Sequence, residues 1–438
     1  MCYNWVDFCD DFRYPFDIHT NTLLFSMNEL HPALARRIIE TVGANGIPPE
    51  YGFQFFTAGL QPYLSVMEEE YFSSFVKDGG SAFKIVVGVY GGGKTHFLYC
   101  MRDLAWAHNF VVSYVPLSPE SSPFHRLDLV YKAIVGGMMP PPETDELFSG
   151  YEQGIVSFLR NWYNQTHQEL TDKGVSAENL YDALENMVEA IDGIESLSFT
   201  KAIRGAVRAL MANQEDEFIN ICQWLNCEGY ERGAHSAHGI FQPIDRTTAL
   251  TMVRSLVQWV RQIGYSGLVI LLDEAERVPS LTSRQREQHL SNLREVIDAC
   301  GHTNFQGAMI FYAVPDENFL EGRTQVYEAL RQRVITVFET LSPSGVKIDL
   351  QAVVTSPISF LDEIGGKLAS VYQTAYRHEF EIEQLEQTIE LAATTAYEQR
   401  FGDIGYKRLF VQTLIRGFHF LRQKGVAPEG GDLHTSSE

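Results

Sequence analysis

Residues 83–97 read FKIVVGVYGGGKTHF: an apolar β-branched run, a glycine-rich turn, then a Lys-Thr pair opening a helix-forming segment. This order constrains the fold more than any other feature of the chain. Phosphate oxygens are held by rings of backbone N–H groups. Such close approach needs residues without a Cβ, which Gly88, Gly91, Gly92 and Gly93 supply. Lys94 stands where its ammonium reaches the β and γ phosphates, and the Thr95 hydroxyl can ligate magnesium. His96 follows directly and is grouped with the nucleotide-binding residues. The N-terminus of the following helix adds partial positive charge. The cofactors implied are ATP and Mg2+.

A phosphate loop of this kind needs an acid at the end of another buried strand. GLVILLDEAE, residues 267–276, supplies it. Asp273 closes a strongly apolar run and is expected to hold the metal. Glu274 is placed to polarise the attacking water, a carboxylate that a nucleotide kinase would not need. No Asn/Thr-Lys-x-Asp segment for reading guanine occurs, which disfavours GTP. Three accessory roles follow from position. Asp316 or Asn318, in PDEN after the strand at 307–314, would sense the γ phosphate, although turn chemistry explains both residues equally well. Arg333, and after it Arg331, in YEALRQRV would act as an arginine finger on a neighbouring subunit's phosphate, so a homo-oligomer is implied. Arg408, after FGDIG, is a candidate second sensor, with a solvated helix face as the alternative.

The remainder alternates strands with helices. Strands are expected at 83–89, 110–116, 268–273 and 307–314, with a last β-rich run at 334–338. Helices are expected at 94–108, 124–138, 247–263 and 285–300. Strands alternating with helices imply a parallel sheet covered on both faces. The division expected is an N-terminal helical segment (1–80), a first part of the nucleotide core (81–142), a helical insertion (143–240), a second part of the core (241–342) and a C-terminal helical lid and tail (343–438). The fold class is therefore α/β, an AAA+-like P-loop NTPase sheet with a helical insertion and a C-terminal lid.

The net charge of −22 argues against a protein that grips a long stretch of naked DNA, because that affinity comes from neutralising phosphates. DNA, if touched, is met through a local patch or a partner subunit. Arg400, Lys407, Arg408, Arg416, Arg422 and Lys424 make the last helices locally basic; a solvated face is the plainer reading. No basic segment followed by an apolar core opens the chain, and no apolar run approaches the ~18 residues of a membrane span, so a cytoplasmic protein without membrane contact is expected. Six scattered cysteines make no disulfide framework. Cys222 and Cys227 with His235 and His238 resemble a zinc set, but the cysteine spacing inside a helical pattern puts the thiols on different faces.

With these residues in hand, the chain resembles the ATP-binding proteins of BREX-type anti-phage systems, the BrxD-like P-loop family. The likeness rests on YLSVMEEEYFSSFVKDGGSAFKIVVGVYGGGKTHFL, NFVVSYVPLSPESSPFHRLDLVYKAI, PIDRTTALTMVRSLVQWVRQIGYSGLVILLDEAE and YEALRQRV, which span most of residues 60–335. It implies an ATPase of a prokaryotic DNA-modification or phage-exclusion system, with other defence proteins as partners. The residues themselves leave two functions open: an ATP-hydrolysing motor or switch, and a nucleotide-dependent scaffold with little turnover.

Overall fold

A computed structural model describes residues 30–142, 152–275, 281–301, 305–316, 325–352, 356–399 and 405–433. The described chain enters through α1 (Pro32–Asn45), a 3-10 turn at Phe53–Phe56, α2 (Gln61–Met67) and a π-helical stretch at Glu68–Phe75. It then lays down β1 (Ala82–Val87), α3 (Lys94–Ala107), β2 (Phe110–Pro116), α4 (Leu127–Gly136) and β3 (Met138–Met139). Helices α5 (Ile155–Asp172), α6 (Ala177–Ala190), α7 (Leu197–Met211), α8 (Glu215–Leu225) and the single turn α9 (Arg232–His235) lead to α10 (Ala249–Gln262). The sheet is completed by β4 (Gly267–Asp273), α11 (Ser283–Gly301), β5 (Ala308–Val314), α12 (Gln325–Val334) and β6 (Lys347–Asp349), and α13 (Pro357–Tyr376), α14 (Ile382–Glu398) and α15 (Tyr406–Lys424) follow.

The six strands lie in the order β3-β2-β4-β5-β1-β6, parallel except for β3. Two registers decide what this order does. Val87 stands opposite Val314, and Pro116 opposite Asp273, so β1, β2, β4 and β5 all end along one edge. The loops that carry the predicted functional residues therefore leave the sheet side by side, where ligands of open α/β sheets bind.

Strand side chains alternate between two apolar layers. Ile85, Leu268, Ile270, Leu272, Ile310 and Tyr312 face a core shared with α4, α10, α11 and the helices α5, α7 and α8. Val86, Val269, Leu271, Phe311 and Ile348 face the other, shared with α1, α3, α13, α14 and α15. The N-terminal helix and the three C-terminal helices thus fill one core together, although some 300 residues of sequence separate them.

Two local expectations fail. The run 334–338 is not a strand: α12 extends to Val334, Val337 makes only an isolated bridge to Lys347, and the place beside β1 is taken by Lys347–Asp349. Its β-branched residues misled because Ile335 and Val337 face solvent and only Phe338 is buried. The helix expected to reach 138 ends at Gly136, and Met138 and Met139 pair antiparallel with Ser113 and Val112. The cysteine–histidine set is dispersed: Cys222 is buried, Cys227 Sγ donates to the Ile244 carbonyl, the His235 ring bonds backbone at Glu231 and Asn220, and His238 sits by Glu217. The basic residues of α15 do not form one surface either. Arg416 donates to the Leu433 carbonyl, Arg422 covers the Tyr376 ring at 4.2 Å, and Arg400 lies outside the described residues.

Lys84, on β1, is buried without a carboxylate. Its ammonium donates to Tyr71 Oη and to the carbonyls of Pro343 and Gly345, at 2.6–2.7 Å, and so pins the turn before β6 to the sheet. Burial pushes its pKa down from 10.5 to about 7. Between these values the unfolded chain holds a proton that the folded protein lacks, so this lysine's penalty on folding is relieved as pH rises. Relative to Lys84→Met, the stability of the wild-type protein should therefore increase from pH 7 to 10, by up to about 1.4 kcal/mol per pH unit in urea melts. A pH-independent difference would show that the three acceptors keep Lys84 charged throughout.

Candidate functional site

The turn after β1 is shaped by Gly91 and Gly93, whose φ values of +72° and +99° lie in the left-handed region. It delivers Lys94 to the first turn of α3, with only 5% of the residue exposed. The ammonium folds back over the turn and donates to the carbonyls of Gly88 at 2.8 Å and Val89 at 3.2 Å. Thr95, one residue on, donates its hydroxyl proton to Asp273 Oδ2 at 2.7 Å. This bond joins the glycine turn to the end of β4 across 178 positions of sequence.

Asp273 is 1% exposed. A buried carboxylate persists only if its oxygens are satisfied. Oδ2 also accepts from Tyr114 Oη at 2.7 Å, and Oδ1 accepts from the Glu274 N–H at 2.8 Å. Glu274 has a left-handed backbone, φ +58°, which a residue with a Cβ adopts at a cost. The strand is broken there, and the chain turns out of the sheet immediately after the buried acid. The donor set that meets at this point is all oxygen, a carboxylate and hydroxyls, which suits a hard divalent cation such as Mg2+. Thr95 and Asp273 are the residues that would hold it.

β5 lies between β1 and β4, so Asp316, two residues beyond its end, emerges between the glycine turn and Asp273. Asn318 lies outside the described residues. The two arginines of α12 differ in their surroundings. Arg333 is engaged by both oxygens of Asp298 on α11, with Nη2 at 3.0 Å from Oδ2, and by the Ala329 carbonyl. Arg331 is exposed. Of the two, Arg333 is thus held by an acid of its own chain.

The start of α15 sits directly on the glycine turn. The Gly405 N–H donates to the Tyr90 carbonyl at 2.7 Å, Lys407 Nζ donates to the Gly92 carbonyl at 3.1 Å, and Arg408 stacks on the Tyr90 ring at 5.1 Å and hydrogen-bonds its hydroxyl. A Cβ on Gly405 would stand 2.6 Å from backbone atoms of Tyr90 and Gly91, so only glycine allows this approach. Burial lowers the Lys407 pKa to about 8, with Asp349 opposing. Beside these residues opens a pocket of about 100 Å³, floored by Gly91, Gly92 and Gly93 and walled by the apolar side chains of Ile47, Pro48, Phe56, Leu350, Phe360 and Ile364. His96 also lines it, but its ring bonds Thr57 Oγ1 at 2.7 Å and packs edge-on to Phe53 and Phe56. Burial, aided by the Lys407 charge, pushes its pKa down to about 4. The imidazole is therefore neutral and part of the wall, and it brings no charge to a phosphate.

A glycine turn with its lysine, an acid bonded to the adjoining threonine and an apolar pocket alongside are thus on one edge of the sheet. The family model described as BREX system ATP-binding protein BrxC/D matches residues 30–427. The chain belongs to that family. No curated protein and no solved structure matches it. Membership gives this BrxC/D-family protein a role in a BREX defence system and a nucleotide as its ligand, with other components of the system as partners. No helix among the described residues is long and apolar enough to cross a membrane.

Tyr114 and Lys407 escaped the sequence reading. Tyr114 reads as one more aromatic of a buried strand, and only its alternation with Val115, on the face of α3, hinted that it reaches Asp273. Lys407 reads as part of a basic helix face, and its neighbour Arg408, by its place after FGDIG, is the candidate sensor instead. If the Gly405 contact shapes the pocket of this BrxC/D-family protein, Gly405→Ala should weaken ATP binding about tenfold while shifting the melting temperature little. Equilibrium titration with a fluorescent ATP analogue measures this, and unchanged affinity would show that the contact is incidental.

Proposed function

We propose that this BrxC/D-family protein is a Mg2+-dependent ATPase of a BREX system, with an AAA+-like P-loop core, and that turnover drives or switches assembly with its partners. The observation that carries the reading is the Thr95–Asp273 hydrogen bond, which joins the phosphate loop to the acid that a metal–nucleotide complex requires. Magnesium would neutralise charge that develops on the phosphate oxygens. The chain's own groups do the rest. The backbone of Gly88, Gly91, Gly92 and Gly93 cradles the phosphates, and Lys94 exchanges its two carbonyl partners for phosphate oxygens. Glu274 orients the attacking water and takes its proton. Asp316, with Asn318, serves as the polar group facing the γ phosphate, and Arg408 and Lys407 approach the site from α15. The insertion of β5 between β1 and β4 supports the AAA+-like assignment, because it brings a third loop between the other two.

In this reading the core is formed by residues 81–142 and 241–342, interrupted by the helical insertion and completed by β6, and the C-terminal helices that follow act as a lid, with the start of α15 on the glycine turn. The adenine of ATP occupies the apolar pocket between residues 47–56 and α13. The protein works in the cytoplasm as a homo-oligomer, with Arg331 as the finger presented to the next subunit. Contact with DNA comes through partner proteins or a local basic patch; the first is supported by Arg416 and Arg422 of α15, which are engaged within the fold.

Glu274→Gln keeps size and hydrogen bonding but cannot accept the proton. It should retain ATP affinity within about twofold and lose turnover by at least about a hundredfold in a phosphate-release assay. Hydrolysis at the wild-type rate would remove Glu274 from the mechanism, and a chain that binds ATP without any turnover would make it a nucleotide-dependent scaffold. The finger is tested separately by mixing. Arg331→Ala keeps the phosphate loop and Lys94→Ala keeps the finger, so mixed oligomers should recover activity that neither variant has alone. Stable mixed oligomers without recovery would exclude action between subunits.

A further inference from the structure

The Asp273 carboxylate is held by more than its two predicted neighbours. An ionised carboxylate oxygen offers two lone-pair directions. Oδ2 spends both on hydroxyl donors, Thr95 at 2.7 Å and Tyr114 at 2.7 Å, whereas Oδ1 accepts, among the described residues, the Glu274 N–H at 2.8 Å and keeps a second direction. Tyr114 reaches this point from β2, the strand paired with β4, where it lies in register with Leu271 two residues before the acid. Its ring is braced by Tyr99 of α3, with centroids 5.5 Å apart, and Tyr99 lies one helical turn beyond Thr95. The acid, the threonine and the phenol are therefore fixed by three different elements.

Such an arrangement has a directional consequence. Because Thr95 spends its proton on Oδ2, the lone pairs of its own oxygen are left to face outward from the acid. Because Tyr114 takes the second direction of Oδ2, the carboxylate cannot rotate to present that oxygen to anything else.

We propose that Tyr114 is a positioning residue of the cation site: its hydroxyl locks the Asp273 carboxylate so that a divalent cation arriving with the nucleotide meets Thr95 and Oδ1 alone. The assignment rests on the nucleotide-site reading above and adds to it a residue that touches neither nucleotide nor metal. Loss of a group of this kind typically costs about 10–100-fold in metal affinity.

Tyr114→Phe removes only the hydroxyl and keeps the ring between β2 and α3, so folding is retained and is checked by thermal melting. Binding of a fluorescent ATP analogue is titrated with Mg2+, and repeated in EDTA, for the wild type, Tyr114→Phe and Tyr99→Phe. The expected result is a rise of about tenfold in the half-saturating Mg2+ concentration for Tyr114→Phe, with affinity in EDTA unchanged within about twofold. Tyr99→Phe, which leaves the donor to Asp273 in place, should move neither quantity. An unaltered Mg2+ dependence for Tyr114→Phe would overturn the proposal. So would an equal loss of affinity with and without Mg2+, or the same shift in Tyr99→Phe, since either would mean a general loosening of the ring pair. Failure of the wild type to bind the analogue would overturn the nucleotide-site reading itself, and is told apart because it appears before any substitution.

Discussion

The hydrogen bond from Thr95 to Asp273 is the interaction on which the arrangement of the molecule turns. It exists because β1 and β4 end at the same edge while β5 lies between them, so the first turn of α3 can lean across toward β4. Every strand that faces this edge must be buried on both sides to keep its register, and the two apolar layers do so. A slip of one residue in β4 would exchange those layers and carry Asp273 away from the threonine. The precision of the site is in this sense a property of Ile270, Leu271 and Leu272, whose alternation fixes where the strand stops.

Much of this was legible in the residues themselves, for stated physical reasons. FKIVVGVYGGGKTHF and GLVILLDEAE are runs in which local propensity, glycine placement and burial agree, and the strands and helices they predict occur within about two residues of expectation. β2 occurs to the residue where it is expected. The failures lie where tertiary contacts override local preference. VITVF has the composition of a strand, but the neighbouring KID occupies the ladder position because Ile348 fills the layer that faces α1. The partner of Arg333 could not be foreseen either, because Asp298 is 35 positions away on another helix. His96 looked polar by its place beside Thr95; three residues of the 53–57 segment, invisible as neighbours in the sequence, make it part of a wall.

The same distinction separates the two lysines that matter most. The place of Lys94 was predictable because it follows from spacing along one loop. Lys407 was not, because its place depends on Gly405, whose missing Cβ lets a distant helix rest on the backbone of Tyr90 and Gly91. Lys84 belongs with the second class: an ammonium inside a strand is unfavourable until a turn from residues 343–345 brings two carbonyls to it. Contacts made by one segment are written in its order of residues, and contacts made between segments are not.

The apolar pocket beside the glycine turn draws its walls from residues 47–56 and from residues 350–364, with α15 closing it. A ribosome must therefore translate into α15 before the pocket has both sides. The glycine turn itself is finished much earlier, at residue 95. During synthesis, the intermediate would expose the apolar faces of α1 and α3 with nothing to cover them, a stretch in which collapse onto the wrong surface competes with folding. Nucleotide could stabilise only the completed product, since binding favours whichever state possesses the site. Maturation would then be checked late, by the arrival of α13, α14 and α15 against a helix, α1, made long before.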